Sequence, residues 1–331
     1  MRLDSPVAVT ERVSARERRI QSQAVDVARF LLPAASLANV GVTANARVLE
    51  HAIQKLLSHP LNEVREIGAE IKRAAQAEVP TLVKYADEVP YLRETAQALQ
   101  AEAAQLPTTT QPEGEWCRLV DFDPKGEARV LAAALFRFGE MRYADAWEYV
   151  HSVDNETRLH LANQLLGRLA RHDIPLRELE YTDYTFEVNL DQGAYFELKR
   201  HRMMAQTPQA LTTRLGYSLP RLIVEAGVEK PYRTAMDAAA QLYERLVAFN
   251  PEVAAYVVPN GYYRRVLIHF NLRTAFHLCT LRAAPNAHFS MRRLALCLAE
   301  QIRAVHPALG TYGLSEAVQD WRDVDREHFA G

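Results

Sequence analysis

The stretch ELEYTDYTFEVNLDQGAYFELKRHRMM, residues 178–204, joins a strand pattern to a cluster of cations. Apolar and aromatic side chains alternate with polar ones from Leu179 to Leu190, which predicts a β-strand. Residues 192–204 have helical spacing, with the triplet Arg200-His201-Arg202 near their end. Adjacent basic residues beside apolar ones favour an anion site for phosphate or a dinucleotide. The alternative is a solvated helix end, where cations interact favourably with the helix dipole.

Helical patterns dominate the rest of the chain. The predicted helices cover approximately residues 17–33, 36–57, 62–78, 90–106, 126–140, 144–152, 155–172, 231–249, 251–258, 261–283 and 286–304. Residues 117–122 and 220–225 are predicted to be extended, and residues 205–220 to form a loop.

A linker at residues 106–116, with two prolines, a glycine and little apolar content, separates an all-helical first part from a mixed second part. We therefore expect one domain at 1–105 and another at 117–310. Residues 311–331 are expected to be a polar, loosely held tail.

The composition argues against several classes of protein. The 331 residues are 48% hydrophobic and 24% charged, with a net charge of −2, which is ordinary for a globular protein. The balanced charge disfavours nucleic acid and membrane surfaces as partners. No run of 18 apolar residues occurs, so no membrane-spanning helix is expected. The polar first twenty residues and three scattered cysteines favour a cytoplasmic protein with reduced core thiols and no metal site.

Two parts of the chain resemble each other at a constant offset of 226 residues. The matched pairs are Ala28 and Ala254, Pro33 and Pro259, Asn45 and Asn271, Arg47 and Arg273, and His51 and His277. A proline followed twelve residues later by Asn-x-Arg-x-x-x-His, without a gap, indicates an internal repeat. The alternative is a pair of ordinary helices that share residue types.

The second of these parts combines apolar and polar residues in one predicted helix, 261–283. Eleven residues separate Asn271 from Arg282, which places both on one stripe of that helix. Arg273 and His277 are neighbours one turn apart on an adjacent stripe. A largely buried helix with these side chains is expected to face a polar ligand, or alternatively a salt-bridged seam between helices.

Three features together make this chain resemble the flavin-dependent thymidylate synthases. They are a Glu-Leu-Glu-Tyr segment before a strand, the Arg-His-Arg triplet, and a helical half with Pro and Asn-x-Arg. The resemblance covers residues 117–310 as one full copy and residues 20–90 as a second copy of the helical half. It implies a helix-rich α+β fold with an extra N-terminal helical half-copy at 1–105. It also implies FAD bound in a homotetramer, and methylation of dUMP with a methylene from folate and a hydride from NADPH.

The resemblance also implies roles for individual residues. The residues matching the flavin-contacting set are Arg200, His201, Arg202, Glu180, Asn271, Arg273 and His277, with Asn45 and Arg47 in the half-copy. The residues expected near an anionic substrate are Arg282, Arg29, Arg214 and Glu197. No protein nucleophile is expected, because such proteins mainly position flavin, nucleotide and folate.

Several motif positions depart from the family pattern. Glu197 stands where the family has a glutamine, and other polar motif positions hold Ala205, Thr207, Pro208, Ala210, Thr212 and Ala255. The half-copy has Arg29 at the position of Ala255, and Leu56 at the position of Arg282. This reciprocal loss predicts a homo-oligomer, a dimer acting as a pseudo-tetramer, in which Arg29 completes a site with Arg200 and Arg282.

Two functions are compatible with this sequence. The first is an FAD-dependent, thymidylate synthase-like flavoprotein that methylates dUMP or a related pyrimidine nucleotide with a folate and reduced flavin. The second is a degenerate, non-catalytic paralogue that binds flavin or a nucleotide, or has a structural role.

Overall fold

The computed structural model describes residue 17 and residues 20–108, 116–170, 173–314 and 319–330. The first helix, α1, covers residues 20–28. The later helices are α2 (Ala46–Leu57), α3 (Asn62–Glu78), α4 (Pro90–Ala103), α5 (Gly126–Phe138), α6 (Tyr143–Ser152), α7 (Asn155–Leu166), α8 (Gln192–Leu198), α9 (Arg221–Glu225), α10 (Glu229–Val247), α11 (Pro251–Ala254), α12 (Leu272–Arg282), α13 (Phe289–Val305), α14 (Pro307–Gly313) and α15 (Trp321–His328).

Four strands accompany these helices: β1 (Cys117–Phe122), β2 (Asp183–Asp191), β3 (Ala205–Pro208) and β4 (Tyr263–Asn271). Short 3₁₀ turns cover Arg29–Leu31, Arg177–Tyr181 and Ala255–Val257. The structure therefore confirms a helix-rich α+β fold.

The chain divides into two compact units. One comprises Met1–Leu32, Pro112–Ala240 and Val258–Gly331. The other comprises Pro33–Gln111 and Gln241–Val257.

The first unit contains an antiparallel sheet with the strand order β1-β2-β4-β3. β2 and β4 pair along their full length, from Asp183 opposite Asn271 to Asp191 opposite Tyr263. Every second residue is buried from Tyr184 to Leu190 in β2 and from Val266 to Phe270 in β4, and the rings of Phe186 and Phe270 stack with centroids 5.8 Å apart. This period of two confirms the strand predicted from the alternation after Leu179.

Helices pack against this sheet to complete the core of the first unit. α13 contacts β1, α12, α14 and α15. Leu294, Leu298 and Ile302 recur at helical spacing along α13 and are fully buried, which explains why this helix lies at the centre of the core.

The second unit has its own small core, formed where α2 packs on α3. Ile53 and Ala75 are buried there together with Val83 and Ala86 from the segment after α3. A Cβ added at Gly68 would lie 2.8 Å from the Leu56 Cβ, so the close approach of these two helices requires glycine.

Two predicted helices are wrong in their first halves. The predicted helix 261–283 is divided, because residues 263–271 form β4 and α12 begins at Leu272. The predicted helix 36–57 begins only at Ala46. Asn271 therefore does not share a helical stripe with Arg282, but caps α12 from the end of a strand.

The segment around the basic triplet also differs from expectation. α8 ends at Leu198, so the triplet lies in the turn that follows rather than inside a helix ending at 204. The predicted loop 205–220 begins with β3, because its first four residues pair with β4. Residues 221–225, expected to be extended, form α9.

The end of the chain is better packed than expected. Residues 319–330 of the tail that was expected to be loosely held include α15, which contacts α13 and buries Val324. Residues 109–115 of the predicted linker lie outside the described residues.

All three cysteines are buried, as expected for core thiols, and burial raises the pKa of Cys279 to about 12. Within the described ranges, no helix is long and apolar enough to cross a membrane. The same ranges hold no group of three or more His, Cys, Asp or Glu side chains suited to a metal ion.

Candidate functional site

The basic triplet is positioned by the short helix α8 and by β3. Asp191 caps α8, its Oδ1 accepting a hydrogen bond from the Ala194 backbone N–H at 2.7 Å. The chain then turns at residues 199–204 before it enters β3. This turn leaves Arg200 and Arg202 exposed and His201 only 6% exposed. The triplet therefore has two cations at the surface and one buried imidazole between them.

The His201 ring is held by Arg282 at the end of α12. The Arg282 Nε–H donates to His201 Nε2 at 3.1 Å, and its Nη1 donates to Glu197 Oε2 at 2.6 Å. Burial, the charge of Arg282 and the nearby His277 lower the pKa of His201 to about 4. Because Nε2 accepts a hydrogen bond, His201 is neutral at physiological pH and carries its proton on Nδ1.

A second ion pair lies where the 3₁₀ turn before β2 meets the start of α12. Arg273 donates to Glu180 Oε1 at 2.8 Å and to the Pro175 carbonyl at 3.0 Å. Arg177, three residues before Glu180, donates to the same carboxylate at 2.9 and 3.2 Å. Hydrogen bonds from Arg177, followed by those from Arg273, lower the pKa of Glu180. Two arginines thus share one carboxylate.

Asn271 is placed by the junction of β4 with α12. Its Oδ1 accepts from the Thr274 backbone N–H at 2.9 Å, the usual role of a helix N-cap. The Thr274 hydroxyl in turn donates to the Met203 carbonyl at 3.4 Å, beside the triplet. One turn further along α12, the exposed His277 has its ring centroid 5.8 Å from that of His201.

Only some of the predicted site residues come together. His201, His277, Arg282 and Glu197 form one cluster, and Arg273 and Glu180 form a separate pair. Among the described residues, Arg29 pairs with Asp26 at 2.8 Å rather than with the triplet.

The remaining predicted residues are distributed over the chain. Arg214 is exposed in the loop between β3 and α9. In the second unit, Asn45 caps α2, accepting from the Val48 backbone N–H at 3.0 Å, and Arg47 is exposed on the same helix.

The arginines of the site fall into two classes. Arg273 and Arg282 each form an ion pair with a carboxylate, and the side chains of the pair between Arg282 and Glu197 are only 14% and 20% exposed. Arg200 and Arg202 form no ion pair within the described part of the chain. Two exposed cations on either side of a buried imidazole fit the diphosphate of a dinucleotide, since charge-assisted hydrogen bonds to phosphate need unpaired cations.

Two residues that support the site were not singled out from the sequence. The Gln206 amide donates to the carbonyls of His201 at 3.0 Å and Leu198 at 3.2 Å, while its buried Oε1 has no partner among the described residues. Arg177 was also missed, although its spacing of three residues from Glu180 is a recognisable sequence signal for a pair. Gln206 has no comparable signal, because its role depends on β3 pairing with β4.

The 226-residue offset also relates local geometry. The 3₁₀ turns Arg29–Leu31 and Ala255–Val257 coincide under it, as do the capping residues Asn45 and Asn271. The Gly261 backbone N–H donates to the Phe30 carbonyl at 2.9 Å, and the Ala35 backbone N–H donates to the Tyr256 carbonyl at 3.1 Å. Ala35 and Gly261 are 226 residues apart, as are Phe30 and Tyr256. The two hydrogen bonds therefore join equivalent residues of the two stretches.

Comparison with known proteins gives matches to one family. The family model described as thymidylate synthase complementing protein matches residues 7–81 and 118–308. A UPF0159 protein from Chlamydia muridarum is 34% identical over 303 residues, which cover 88% of this chain and 57% of that protein. This chain thus spans little more than half the length of that relative.

Two further similarities concern proteins named for flavin-dependent thymidylate synthesis. The flavin-dependent thymidylate synthase of Saccharolobus solfataricus is 30% identical over 209 residues, covering 59% of this chain and 75% of that protein. A solved flavin-dependent thymidylate synthase from Helicobacter pylori, complexed with FAD and dUMP, aligns at a TM-score of 0.45 and 21% identity. That alignment covers 61% of this chain and all of the solved one.

Proposed function

Since the chain belongs to the family of thymidylate synthase complementing proteins, we propose that it binds FAD with the basic triplet at residues 200–202. One observation carries this proposal: Arg200 and Arg202 are exposed and have no ion-pair partner among the described residues, and they flank a buried, neutral His201. When bound, the flavin supplies hydride and electron transfer. Arg200 and Arg202 bind its phosphates, and each charge-assisted hydrogen bond contributes about 1.5–3 kcal/mol.

His201 contributes through orientation rather than charge. Because Arg282 donates to Nε2, the ring is fixed in one tautomer, with Nδ1–H as its donor. A neutral imidazole can pack against an aromatic ring system without bringing a buried charge close to it. His277, with its ring 5.8 Å away, extends the same imidazole surface. The start of α12 is held beside this surface by two interactions. Arg273 pairs with Glu180, and Asn271 caps the helix.

The substrate side of the proposal is methylation of dUMP or a related pyrimidine nucleotide, with a folate as methylene donor and NADPH as reductant. The pair between Arg282 and Glu197 bears directly on this step. Arg282, the cation expected to bind the nucleotide phosphate, already pairs with the Glu197 carboxylate, so the nucleotide must displace that carboxylate. This observation favours a second candidate, a flavin-binding protein without methyl transfer.

We also propose that residues 1–105 are a helical half-copy of the fold, arranged so that two chains form a pseudo-tetramer. The matched 3₁₀ turns, helix caps and interchanged hydrogen bonds support this duplication. Arg29, paired at the surface with Asp26, would exchange that partner for a ligand phosphate at a site completed by a second chain. A dimer by native mass spectrometry, with weaker FAD binding in Arg29→Ala, is the expected result.

Flavin titration tests the main proposal. FAD added to the full chain is expected to show a shifted absorbance spectrum and quenched fluorescence, with saturation. The double variant Arg200→Ala/Arg202→Ala should weaken the affinity at least about 100-fold, from about 1.4 kcal/mol or more for each lost contact. Arg73→Ala, which alters an exposed helix arginine elsewhere, is the matched control. Saturation that is unchanged in the double variant contradicts the proposal.

A second experiment separates methyl transfer from flavin binding alone. The flavin-loaded protein is incubated with dUMP labelled with tritium at C5, a methylene folate and NADPH. Tritium release supports methylation, and its absence supports the second candidate. Glu197→Gln should tighten dUMP binding about tenfold, because Arg282 loses its competing carboxylate. Glu197→Asp keeps the charge and serves as the control.

A further inference from the structure

Residues 37–45, in the second unit, form an apolar segment without a ladder partner in the described part of the chain. The segment connects the end of the first repeat's 3₁₀ region to α2 and has no regular secondary structure. Leu37, Val40 and Val42 are 103%, 78% and 82% exposed. Three large aliphatic side chains this exposed within six residues are unusual, because apolar surface is normally removed from water.

The 226-residue offset relates this segment to β4. Val40, Val42 and Ala44 correspond to Val266, Ile268 and Phe270, whose side chains are all buried in the sheet. Between them, Gly41 and Thr43 correspond to residues on the opposite face of β4. The segment therefore has the period of two that a strand with one buried face requires.

Both stretches also end in the same way. Asn45 caps α2 and Asn271 caps α12, each with its side-chain oxygen on the backbone N–H three residues later. In the complete copy, the strand before this cap is flanked by β2 on one side and β3 on the other. Residues 37–45 thus share the alternation of β4 and, like β4, end at an asparagine that caps a helix. In the described part of the chain they have no neighbouring strands.

We propose that residues 37–45 become a β-strand by pairing with a second copy of the sheet half, strands like β1, β2 and β3, that lies outside these 331 residues. This inference rests on the duplication proposed above. A strand like β2 would run antiparallel to the segment, as β2 does to β4. In that register, Val42 lies opposite the equivalent of Phe186, and Val40 opposite the equivalent of Val188.

The length of the relatives favours this occupant over a second copy of this chain. The Chlamydia muridarum protein leaves about two fifths of its length outside the match, enough for a further sheet half. The sheet half within this chain is already used, because β2 and β3 pair with β4 on both of its sides. The sheet half that pairs with residues 37–45 must therefore bring its own β2-like strand, and backbone hydrogen bonds then give affinity while Val40 and Val42 give the register.

Hydrogen exchange of the full chain with an added sheet half tests the inference. The probe is the 331-residue chain preceded by a second copy of its own residues 117–208. A flexible linker restores the chain length that separates β3 from β4 in the complete copy. Amides of residues 39–44 should exchange rapidly in the original chain and at least about 100-fold more slowly in the extended one, because tethering makes the pairing intramolecular. Amides of β4 should stay protected in both.

The control is the extended chain with Val40→Lys and Val42→Lys, which places two charges on the face that must be buried. Protection at residues 39–44 should be lost there, while that of β4 is kept. Rapid exchange at 39–44 in the extended chain overturns the proposal, whether or not the added half is ordered. A dimer of the original chain that the two lysines abolish also overturns it, since the occupant is then a second copy. Neither readout depends on flavin, so failure here is distinct from failure of the proposed function.

Discussion

Residues 29–57 and 255–283 begin and end alike but differ in the middle. Each starts with a 3₁₀ turn and each has an asparagine-capped helix, α2 or α12. Between turn and cap, residues 263–271 form a strand in the sheet, whereas residues 37–45 form none. The difference shows which features a short sequence determines by itself and which need a partner.

Capping is local, because the Asn side chain and the backbone N–H that it satisfies are three residues apart. Strand formation is not local, because a strand's backbone groups bond to residues distant in sequence. The same reasoning applies to charge: Arg282 is neutralised by Glu197, and its counterpart Leu56 needs no such partner. Within the described residues, the stretch 255–283 thus has long-range interactions that the stretch 29–57 lacks.

The largest expected difference between the two stretches concerns Phe30 and its counterpart Tyr256. Phe30 is buried, with its ring centroid 5.8 Å from those of both His288 and Phe289. Phe30→Ala should lower the free energy of unfolding by about 3–5 kcal/mol, the usual cost of a cavity left by phenylalanine. Tyr256 is half-buried and donates to Glu63 at the surface, so Tyr256→Ala should cost about 1 kcal/mol. Urea unfolding of both variants measures this, and equal losses would contradict it.

The next difference tests the strand position itself. Ile268→Ala removes a fully buried side chain from β4 and should cost about 2–5 kcal/mol in urea unfolding. Val42→Ala, at the position 226 residues earlier, should change stability by less than about 0.5 kcal/mol, because Val42 is already exposed. A large loss at Val42 in the isolated chain would mean that residues 37–45 are paired within it.

The sequence predicted most helices, because apolar residues at helical spacing reveal the buried face of one element. The helix prediction failed at the same place in residues 29–57 and 255–283. Residues 261–283 and 36–57 were each predicted to be single helices, although Asn271 and Asn45 mark the true starts. Leu267 is apolar although it faces outward in β4. Apolar and polar residues therefore do not alternate there, and the apolar run resembles a helix.

The sequence indicated candidate site residues but not which of them pair with each other. Arg282 and Glu197 are 85 residues apart, and no local pattern indicates that they meet. Arg273 and Glu180 are 93 residues apart and pair only because β4 lies beside β2. Tertiary contacts of this kind decide which arginines stay available to a ligand.

A pH dependence of the free energy of unfolding should reveal the buried environment of His201. The folded-state pKa of His201, about 4, lies below its ordinary value of 6.5, so the unfolded chain takes up the proton first as the pH falls. The free energy of unfolding is therefore unaffected by His201 above pH 6.5. It falls by up to about 3 kcal/mol as the pH is lowered from 6.5 to 4. His201→Gln should remove this part of the slope in urea unfolding. Parallel curves for wild type and His201→Gln would contradict the assignment.

The smallest difference is expected at the helix caps, where the two stretches are most alike. Asn271→Ala and Asn45→Ala each leave a backbone N–H of the first helical turn without its side-chain acceptor. We expect losses of about 1 kcal/mol in both cases, somewhat larger at half-buried Asn271, where water cannot replace the lost bond as easily. Asn→Asp at either position keeps the acceptor and should recover most of the loss. A cost several-fold larger at Asn271 than at Asn45 in urea unfolding would contradict the equivalent capping roles of these two residues.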